Sequence, residues 1–179
     1  MATYLDTSVI IARYVHADPA FRKVERLFKE SSEARHISEI SVLELHCVFS
    51  RLIRGGMLTA GLGLRSFADL EMKEKVKVAV EHAIRTWRLT VTTPERTFAR
   101  FRLSGQTIKI QHELSEAMRT APALGLKTLD MLHLIYTKTM RETVPDLETF
   151  TTLDGDIISR RNDIKKELGI VVVSPLDRP

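Results

Sequence analysis

The sequence predicts an α/β protein with a parallel sheet covered by helices on both faces. Short apolar or β-branched runs alternate with helical segments along all 179 residues, and this alternation is typical of a parallel sheet. Hydrophobic residues make up 44% and charged residues 28%, which is ordinary for a soluble globular protein. No internal repeat, low-complexity segment or linker interrupts the pattern. We therefore predict one domain over residues 1–179, with a longer helical region around 58–110.

The first predicted strand is the short run Tyr4-Leu5, which stops at Asp6. Thr7 or Ser8 can cap the helix that follows. Because ligands bind outside the carboxyl ends of the strands in open α/β sheets, Asp6 is placed for a cation or a reacting group. The alternative is that Asp6 only favours the positive end of that helix.

Turn residues and periodicity define the other elements of the first half. In order, they are a helix over Ser8–Tyr14, a helix from Asp18-Pro19, a strand over Arg35–Ser38, a helix from Ser41 to Gly55, a turn at Gly61 and Gly63, a mostly helical stretch over Leu64–Trp87 and a strand over Leu89–Pro94. The alternation at Lys75–Val78 fits a helix or a strand. Cys47, in a helical pattern, is predicted to be a small buried hydrophobic residue.

The second half opens with a stretch, Glu95–Ile110, that follows no decisive pattern. After it the sequence predicts a helix over Glu113–Met118, a helix over Leu129–Met140, a strand over Glu148–Leu153, a helix over Ile157–Leu168 and a buried strand over Ile170–Val173. No apolar run is long enough for a transmembrane helix, and no secretory signal is visible. A single cysteine fits a reducing compartment, so we predict a cytoplasmic protein with no membrane partner.

Acidic residues stand at corresponding places in the alternating units: Asp6, Glu44, Asp130 and Asp154. Asp6 and Asp154 each end a predicted strand, whereas Glu44 and Asp130 each fall in the first turn of a predicted helix. If the strands are parallel neighbours, all four point into one crevice. Clustered carboxylates raise one another's pKa unless a cation neutralises them, and Mg²⁺ and Mn²⁺ favour such oxygen ligands.

Each of these residues also has a structural explanation when it is considered alone. Ser41 and Glu44 match a capping box, and Asp130 could stabilise a helix N-terminus. Asp154-Gly155-Asp156 could be a turn that caps the last helix. His133, three residues after Asp130, could touch the site or pack against the sheet.

The order of these motifs resembles the PIN-domain ribonucleases, and among them the VapC-type toxins of toxin–antitoxin pairs. The resembling stretches are Leu5-Asp6-Thr7-Ser8-Val9, Ile40-Ser41-Val42-Leu43-Glu44-Leu45, Leu129-Asp130-Met131-Leu132-His133-Leu134 and Thr151-Thr152-Leu153-Asp154-Gly155-Asp156. Many relatives carry Arg where this chain has Leu153. The region around 58–110 is also longer than in compact toxins of this type.

The resemblance implies an α/β/α sandwich that holds Mg²⁺ or Mn²⁺ and cleaves RNA by metal-activated water, leaving a 5′-phosphate and a 3′-hydroxyl. It assigns catalysis and metal binding to Asp6, Glu44, Asp130 and Asp154, with Asp156 sharing or replacing the role of Asp154. Thr7 or Ser8, and Thr152, match hydroxyl positions near the site. The implied partners are RNA, an antitoxin protein and a second copy of the chain.

Several functions remain open at this point. An RNA-processing PIN nuclease without an antitoxin, or an inactive RNA- or protein-binding module, would share the fold. A haloacid dehalogenase-type phosphatase fits poorly, since it requires a second Asp where this chain has Ser8, and a receiver domain requires an adjacent acidic pair. The net charge of +4 suits a polyanionic partner. The candidate phosphate contacts are Arg13, Arg51, Arg54, Lys127 and Lys138.

Overall fold

A computed structural model describes residues 1–15, 18–58 and 67–177 of the chain. Its strands are β1 (Ala2–Leu5), β2 (Ala34–Ile37), β3 (Leu89–Val91), β4 (Phe98–Leu103), β5 (Gln106–Gln111), β6 (Leu147–Thr151) and β7 (Val171–Val173). Its helices are α1 (Thr7–Ala12), α2 (Phe21–Glu30), α3 (Glu39–Arg54), α4 (Met72–Thr86), α5 (His112–Leu124), α6 (Thr128–Met140), α7 (Gly155–Ser159) and α8 (Arg161–Leu168).

Five of the strands form one parallel sheet in the order β3-β2-β1-β6-β7. The central strand β1 is buried over its whole length, because neighbouring strands flank it and helices cover both of its faces. From β1 the chain adds β2 and β3 on one side and β6 and β7 on the other. The carboxyl end of β1 is therefore the point at which the sheet changes direction, where α/β sheets form their ligand crevices.

The helices form a layer on each face of this sheet. One hydrophobic cluster contains Val9, Phe49 and Ala79, which belong to helices between β1 and β3. A second cluster contains Leu134 and Ile164, from helices between β3 and β7. The predicted α/β fold with a parallel central sheet is confirmed.

Helix α3 starts two residues earlier than predicted. Ser38 is its N-cap, since the Ser38 hydroxyl accepts a hydrogen bond from the Ser41 N–H at 3.3 Å. The same helix corrects the prediction for Cys47, which is exposed. Leu45 and Phe49 face the core, so the residue midway between them points to solvent.

The predicted helix over Ile157–Leu168 is two helices, α7 and α8, that meet at Arg160. The ambiguous alternation at Lys75–Val78 is helical, since it lies inside α4. The turn predicted at Gly61 and Gly63, and the start of the helical stretch from Leu64, lie outside the described residues.

The longer region around 58–110 is helical in α4 but not throughout. Its second half contains β3 and then an antiparallel hairpin, in which β4 pairs with β5 from Phe98↔Gln111 to Leu103↔Gln106. The hairpin does not join the main sheet and packs against α5. Among the described helices, none combines the length and apolar character that crossing a membrane requires.

Candidate metal centre

Asp6 lies at the carboxyl end of β1 and is 6% exposed. It occupies the N-cap position of α1, yet its side chain makes no capping hydrogen bond. Instead its Oδ2 accepts hydrogen bonds from the hydroxyls of Ser8 and Thr152, the latter at 2.7 Å. Both hydroxyls use one carboxylate oxygen, so hydroxyl groups rather than the backbone N–H groups of α1 hold the side chain of Asp6.

The same two hydroxyls tie the ends of β1 and β6 together. The Leu153 N–H donates to Ser8 Oγ at 3.1 Å, and the Asp154 N–H donates to Thr152 Oγ1 at 2.9 Å. Each hydroxyl thus accepts from the backbone and donates to Asp6. The predicted supporting residues Ser8 and Thr152 fix the orientation of the Asp6 carboxylate.

Glu44 lies on α3 and points toward Asp6 rather than back to the start of its helix. The capping box with Ser41 does not form, because Ser38 is the cap. Glu44 Oε2 accepts a hydrogen bond from His133 Nε2 at 2.8 Å. Burial raises the pKa of Glu44, but hydrogen bonds from His133 and Thr7 and the nearby positive charge of Arg51 lower it below its usual range.

His133 is 1% exposed and belongs to a buried network. Because an ionised carboxylate only accepts hydrogen bonds, Nε2 carries a proton, and Nδ1 is hydrogen-bonded to the Tyr4 hydroxyl at 2.8 Å. The Tyr4 hydroxyl is also hydrogen-bonded to the hydroxyls of Ser38 and Ser41, at 2.8 and 2.7 Å. These hydrogen bonds orient the imidazole ring of His133, which in turn orients the carboxylate of Glu44.

Potential ligand atoms of Asp6, Glu44 and His133 all lie within 4.8 Å of one another, and they form the sole such cluster of three or more within the described ranges. His133 Nε2 already holds a proton directed at Glu44, so this nitrogen has no free lone pair for a cation. The ligands that this cluster offers are therefore carboxylate oxygens from Asp6 and Glu44, the donors that Mg²⁺ and Mn²⁺ prefer.

Asp130 lies in the first turn of α6 and shares the electrostatic field of this cluster. Burial, followed by the charges of Asp154 and Asp6, raises the pKa of Asp130 to about 6. The Asp130 Oδ2 atom is buried without a hydrogen-bond partner in the described chain. An unpaired buried oxygen beside crowded carboxylates fits a bound cation, which would neutralise the charges and satisfy that oxygen.

Asp154 and Asp156 have different surroundings. Asp154 caps α7, since its Oδ1 accepts from the N–H groups of Asp156 and Ile157. It still faces the site closely enough to raise the pKa of Asp130. The Asp156 side chain is 62% exposed and pairs with Lys127 Nζ at 2.8 Å, and this pair lowers its pKa. The structure therefore places Asp154 beside the cluster and directs Asp156 toward Lys127.

The candidate phosphate contacts separate into two groups. Lys127 and Arg51 lie near the acidic residues. The hydrogen bond to Asp156, and the negative charge of Asp130, raise the pKa of Lys127. The positive charge of Arg51 lowers the pKa of Glu44. Arg13 pairs with Glu25 at 2.9 Å, and Lys138 pairs with Glu116, so both serve other contacts. Arg54 is exposed in the last turn of α3.

Sequence reasoning missed the network behind Glu44. Tyr4 was predicted only as an apolar strand residue, Ser38 only as the end of a strand, and Ser41 only as a candidate cap. A usable signal was present for His133, because its spacing of three from Asp130 puts both side chains on one face of α6.

The fold and the site together define a class: a doubly wound α/β protein with carboxylates gathered at the switch point of its sheet, suited to a divalent cation and phosphate chemistry. A family model described as PIN domain matches residues 3–161. The chain belongs to the PIN domain family.

A solved structure has a similar fold. It is described as VapBC2 from Rickettsia felis bound to a DNA fragment from their promoter, and the match has a TM-score of 0.51. The two chains are 14% identical, and the match covers 97% of this chain and 98% of the other. The comparison with curated proteins found no match.

Proposed function

We propose that this protein is a metal-dependent endoribonuclease that hydrolyses RNA phosphodiester bonds with Mg²⁺ or Mn²⁺. The observation that carries the proposal is the set of carboxylates at the switch point, in which Asp6 and Glu44 approach each other and the pKa of Asp130 is raised to about 6. PIN family membership supports hydrolysis of nucleic acid as the reaction class.

Asp6, Glu44 and Asp130 would hold the cation, with Asp154 adding negative charge at the entrance. A bound divalent ion would supply an activated water and charge compensation for the phosphate. Ser8 and Thr152 hold the Asp6 carboxylate, and His133 holds Glu44. Lys127, beside the acidic residues, would attract the RNA backbone.

We further propose that the enzyme is the toxin of a VapBC-type toxin–antitoxin pair, acts in the cytoplasm and forms a homodimer. Similarity to a chain from a VapBC complex supports an antitoxin partner for this chain. An RNA-processing nuclease with no antitoxin remains the competing function, and an inactive binding module is the alternative without chemistry.

The decisive experiment is cleavage of pooled cellular RNA by purified protein with Mg²⁺, Mn²⁺ or EDTA. We expect metal-dependent cutting that falls by about a hundredfold or more in Asp6→Asn, because the substitution removes a charged ligand. The matched control is Asp163→Asn, an exposed residue of α8, which should cut like the wild type. If the wild type neither cuts RNA nor binds metal in calorimetry, the nuclease proposal is wrong.

A second experiment separates the toxin from a processing nuclease. Expression of the wild type, but not of Asp6→Asn, should arrest growth, and co-expression of the product of a small adjacent gene should restore it. Cutting in vitro without growth arrest would favour the processing nuclease.

A further inference from the structure

The β4–β5 hairpin is formed by one contiguous stretch of the chain and is called the arm below. Its strands pair only with each other in the described structure, and the connection is the dipeptide Ser104-Gly105. Both residues have positive φ, 48° and 79°, as a type I′ turn requires. That turn matches the twist of the strands, so the hairpin is a defined ribbon.

The hairpin has two different faces, because side chains alternate along each strand. One face is mostly apolar, most of its residues are half-buried, and the hairpin packs against α5. It consists of Ala99, Phe101, Leu103, Gln106, Ile108 and Ile110. The other face, called the basic face below, consists of Phe98, Arg100, Arg102, Thr107, Lys109 and Gln111. All of these except Gln111 are exposed.

The basic face carries unopposed positive charge. Arg100, Arg102 and Lys109 form no ion pair within residues 1–15, 18–58 and 67–177, and the only acidic residue from 95 to 111 is Glu95. Most other cations named above have a carboxylate beside them, as Lys127 and Lys138 do. Unpaired cations on a solvated ribbon are suited to a polyanion.

An aromatic ring lies among these cations. Phe98 is 56% exposed, and Lys109 Nζ stands 4.7 Å from its ring centroid. Single-stranded nucleic acids are held by this combination, in which cations contact phosphates and exposed rings stack on bases. A protein partner would need a broader apolar surface than this face offers, since its remaining residues, Thr107 and Gln111, are polar.

The arm follows the strand β3, whose carboxyl end lies at the same edge of the sheet as the acidic residues. Strand β3 is parallel to β1, so its carboxyl end at Val91 lies at the same edge of the sheet as Asp6. Residues 92–97 connect that edge to the hairpin. Arg96 at its base lies near the Tyr136 phenol of α6, the helix that carries Asp130.

We propose that the basic face of the β4–β5 hairpin binds single-stranded RNA and is the surface on which the enzyme holds its substrate. The inference rests on the proposed nuclease function for the identity of the ligand. The acidic cluster repels phosphates and Lys127 beside it is paired with Asp156, so holding RNA requires further cations, which the hairpin concentrates.

The test measures binding separately from cutting. In an Asp6→Asn background, fluorescence anisotropy follows a labelled unstructured oligouridylate over a range of salt concentrations. One variant carries Arg100→Ala, Arg102→Ala and Lys109→Ala. The matched control carries Lys73→Ala, Lys77→Ala and Arg85→Ala, which remove the same charge from exposed positions of α4.

The hairpin variant should bind at least about tenfold more weakly than the control, and its slope of log affinity against log salt should be shallower by about 2, as expected for three lost phosphate contacts. Phe98→Ala should weaken binding by about fivefold or more with no change of slope, because stacking is not ionic. Equal affinity and equal slope in the hairpin variant and the control would overturn the inference.

The outcomes also separate this inference from the nuclease proposal. If the wild type cuts RNA and the hairpin variant binds and cuts like the control, the surface is wrong and the function stands. If no metal supports cutting but binding still depends on the hairpin, the function is wrong and the surface stands. A hairpin variant that changes only sedimentation of the dimer or capture of an antitoxin would also overturn RNA as the occupant.

Discussion

The carboxyl edge of β1 and the basic face of the hairpin use polar side chains in opposite ways. At the edge of β1, Asp6 and Glu44 receive hydrogen bonds from buried partners, and Tyr4 is fully buried behind them. On the hairpin, Arg100 and Arg102 are exposed and lack carboxylate partners in the described chain. Chemistry requires fixed ligands and therefore a supporting network, whereas attraction of a flexible polyanion requires only accessible charge.

The largest expected effect comes from breaking the buried network with Tyr4→Phe. Phenylalanine preserves the stack on Phe150, whose ring centroid lies 5.3 Å away, but it removes the hydroxyl that is hydrogen-bonded to His133 Nδ1 and to two serines. We expect the free energy of unfolding to fall by about 1–3 kcal/mol and metal affinity by about tenfold. Chemical denaturation and calorimetry measure the two quantities.

Tyr14→Phe is the matched control for this prediction. The Tyr14 hydroxyl is bonded to His82 Nδ1 at 2.9 Å and to Trp87 Nε1 at 3.1 Å, in a network that contains none of the candidate ligands. The Tyr14→Phe variant should be less stable than the wild type but should bind metal with the same affinity. Equal metal affinity in Tyr4→Phe and Tyr14→Phe would show that the Tyr4 network does not position Glu44.

The next prediction, for Asp130→Asn, is a gain in folding stability rather than a loss. The pKa of Asp130 is about 6 in the folded protein, above its usual value of 3.8, so ionising Asp130 costs folding stability. This cost is absent well below pH 4, grows as the pH rises from about 4 to about 6, and is complete above that. Asp130→Asn should therefore raise the stability of the metal-free protein at pH 7 by about 1–3 kcal/mol.

Thermal melts at pH 4 and pH 7, with and without Mg²⁺, check this prediction. The gain should shrink toward pH 4, and Mg²⁺ should stabilise the wild type more than the variant, because the ion offsets the same repulsion. Asp163→Asn should show neither effect. A variant that is less stable than the wild type at pH 7 would contradict the electrostatic account of Asp130.

The smallest effect is expected for Asp156→Asn. Asp156 pairs with Lys127 in solvent, and exposed ion pairs contribute little. Cleavage by this variant should stay within about twofold of the wild type, measured beside Asp6→Asn under the same conditions. A loss of more than about tenfold would place Asp156 among the metal ligands, contrary to its direction in the structure.

The sequence predicted the sheet and its acidic edge because both depend on local signals. Asp6 directly follows a buried strand, and Asp130 opens a strongly periodic helix, so the topology of a parallel sheet is enough to bring them to one edge. The Tyr4 network depends on contacts between β1, α3 and α6 that no short stretch of sequence encodes. Its residue types are ordinary for a strand and a helix cap, and only the folded chain gives them a shared role.

The hairpin was missed for a different reason. Arginines on one face of β4 alternate with Ala99, Phe101 and Leu103 on the other, and this period of two was a usable strand signal that the prediction left out. The dipeptide Ser104-Gly105 was a usable turn signal as well, since glycine tolerates the positive φ found there. The exposed Cys47 shows a related error, because membership of a helical segment does not tell which side of the helix a residue occupies.

The hydrogen bond from Thr152 to Asp6 joins residues 146 positions apart in the chain. During synthesis at about 5–20 residues per second, on the order of ten to thirty seconds pass between the synthesis of Asp6 and that of Thr152, one of the two residues that orient its carboxylate. Strand β1 likewise waits for β6, its neighbour in the sheet. The ribosome thus imposes a built-in delay, during which a nascent chain that already contains most of its acidic residues is still without an assembled centre.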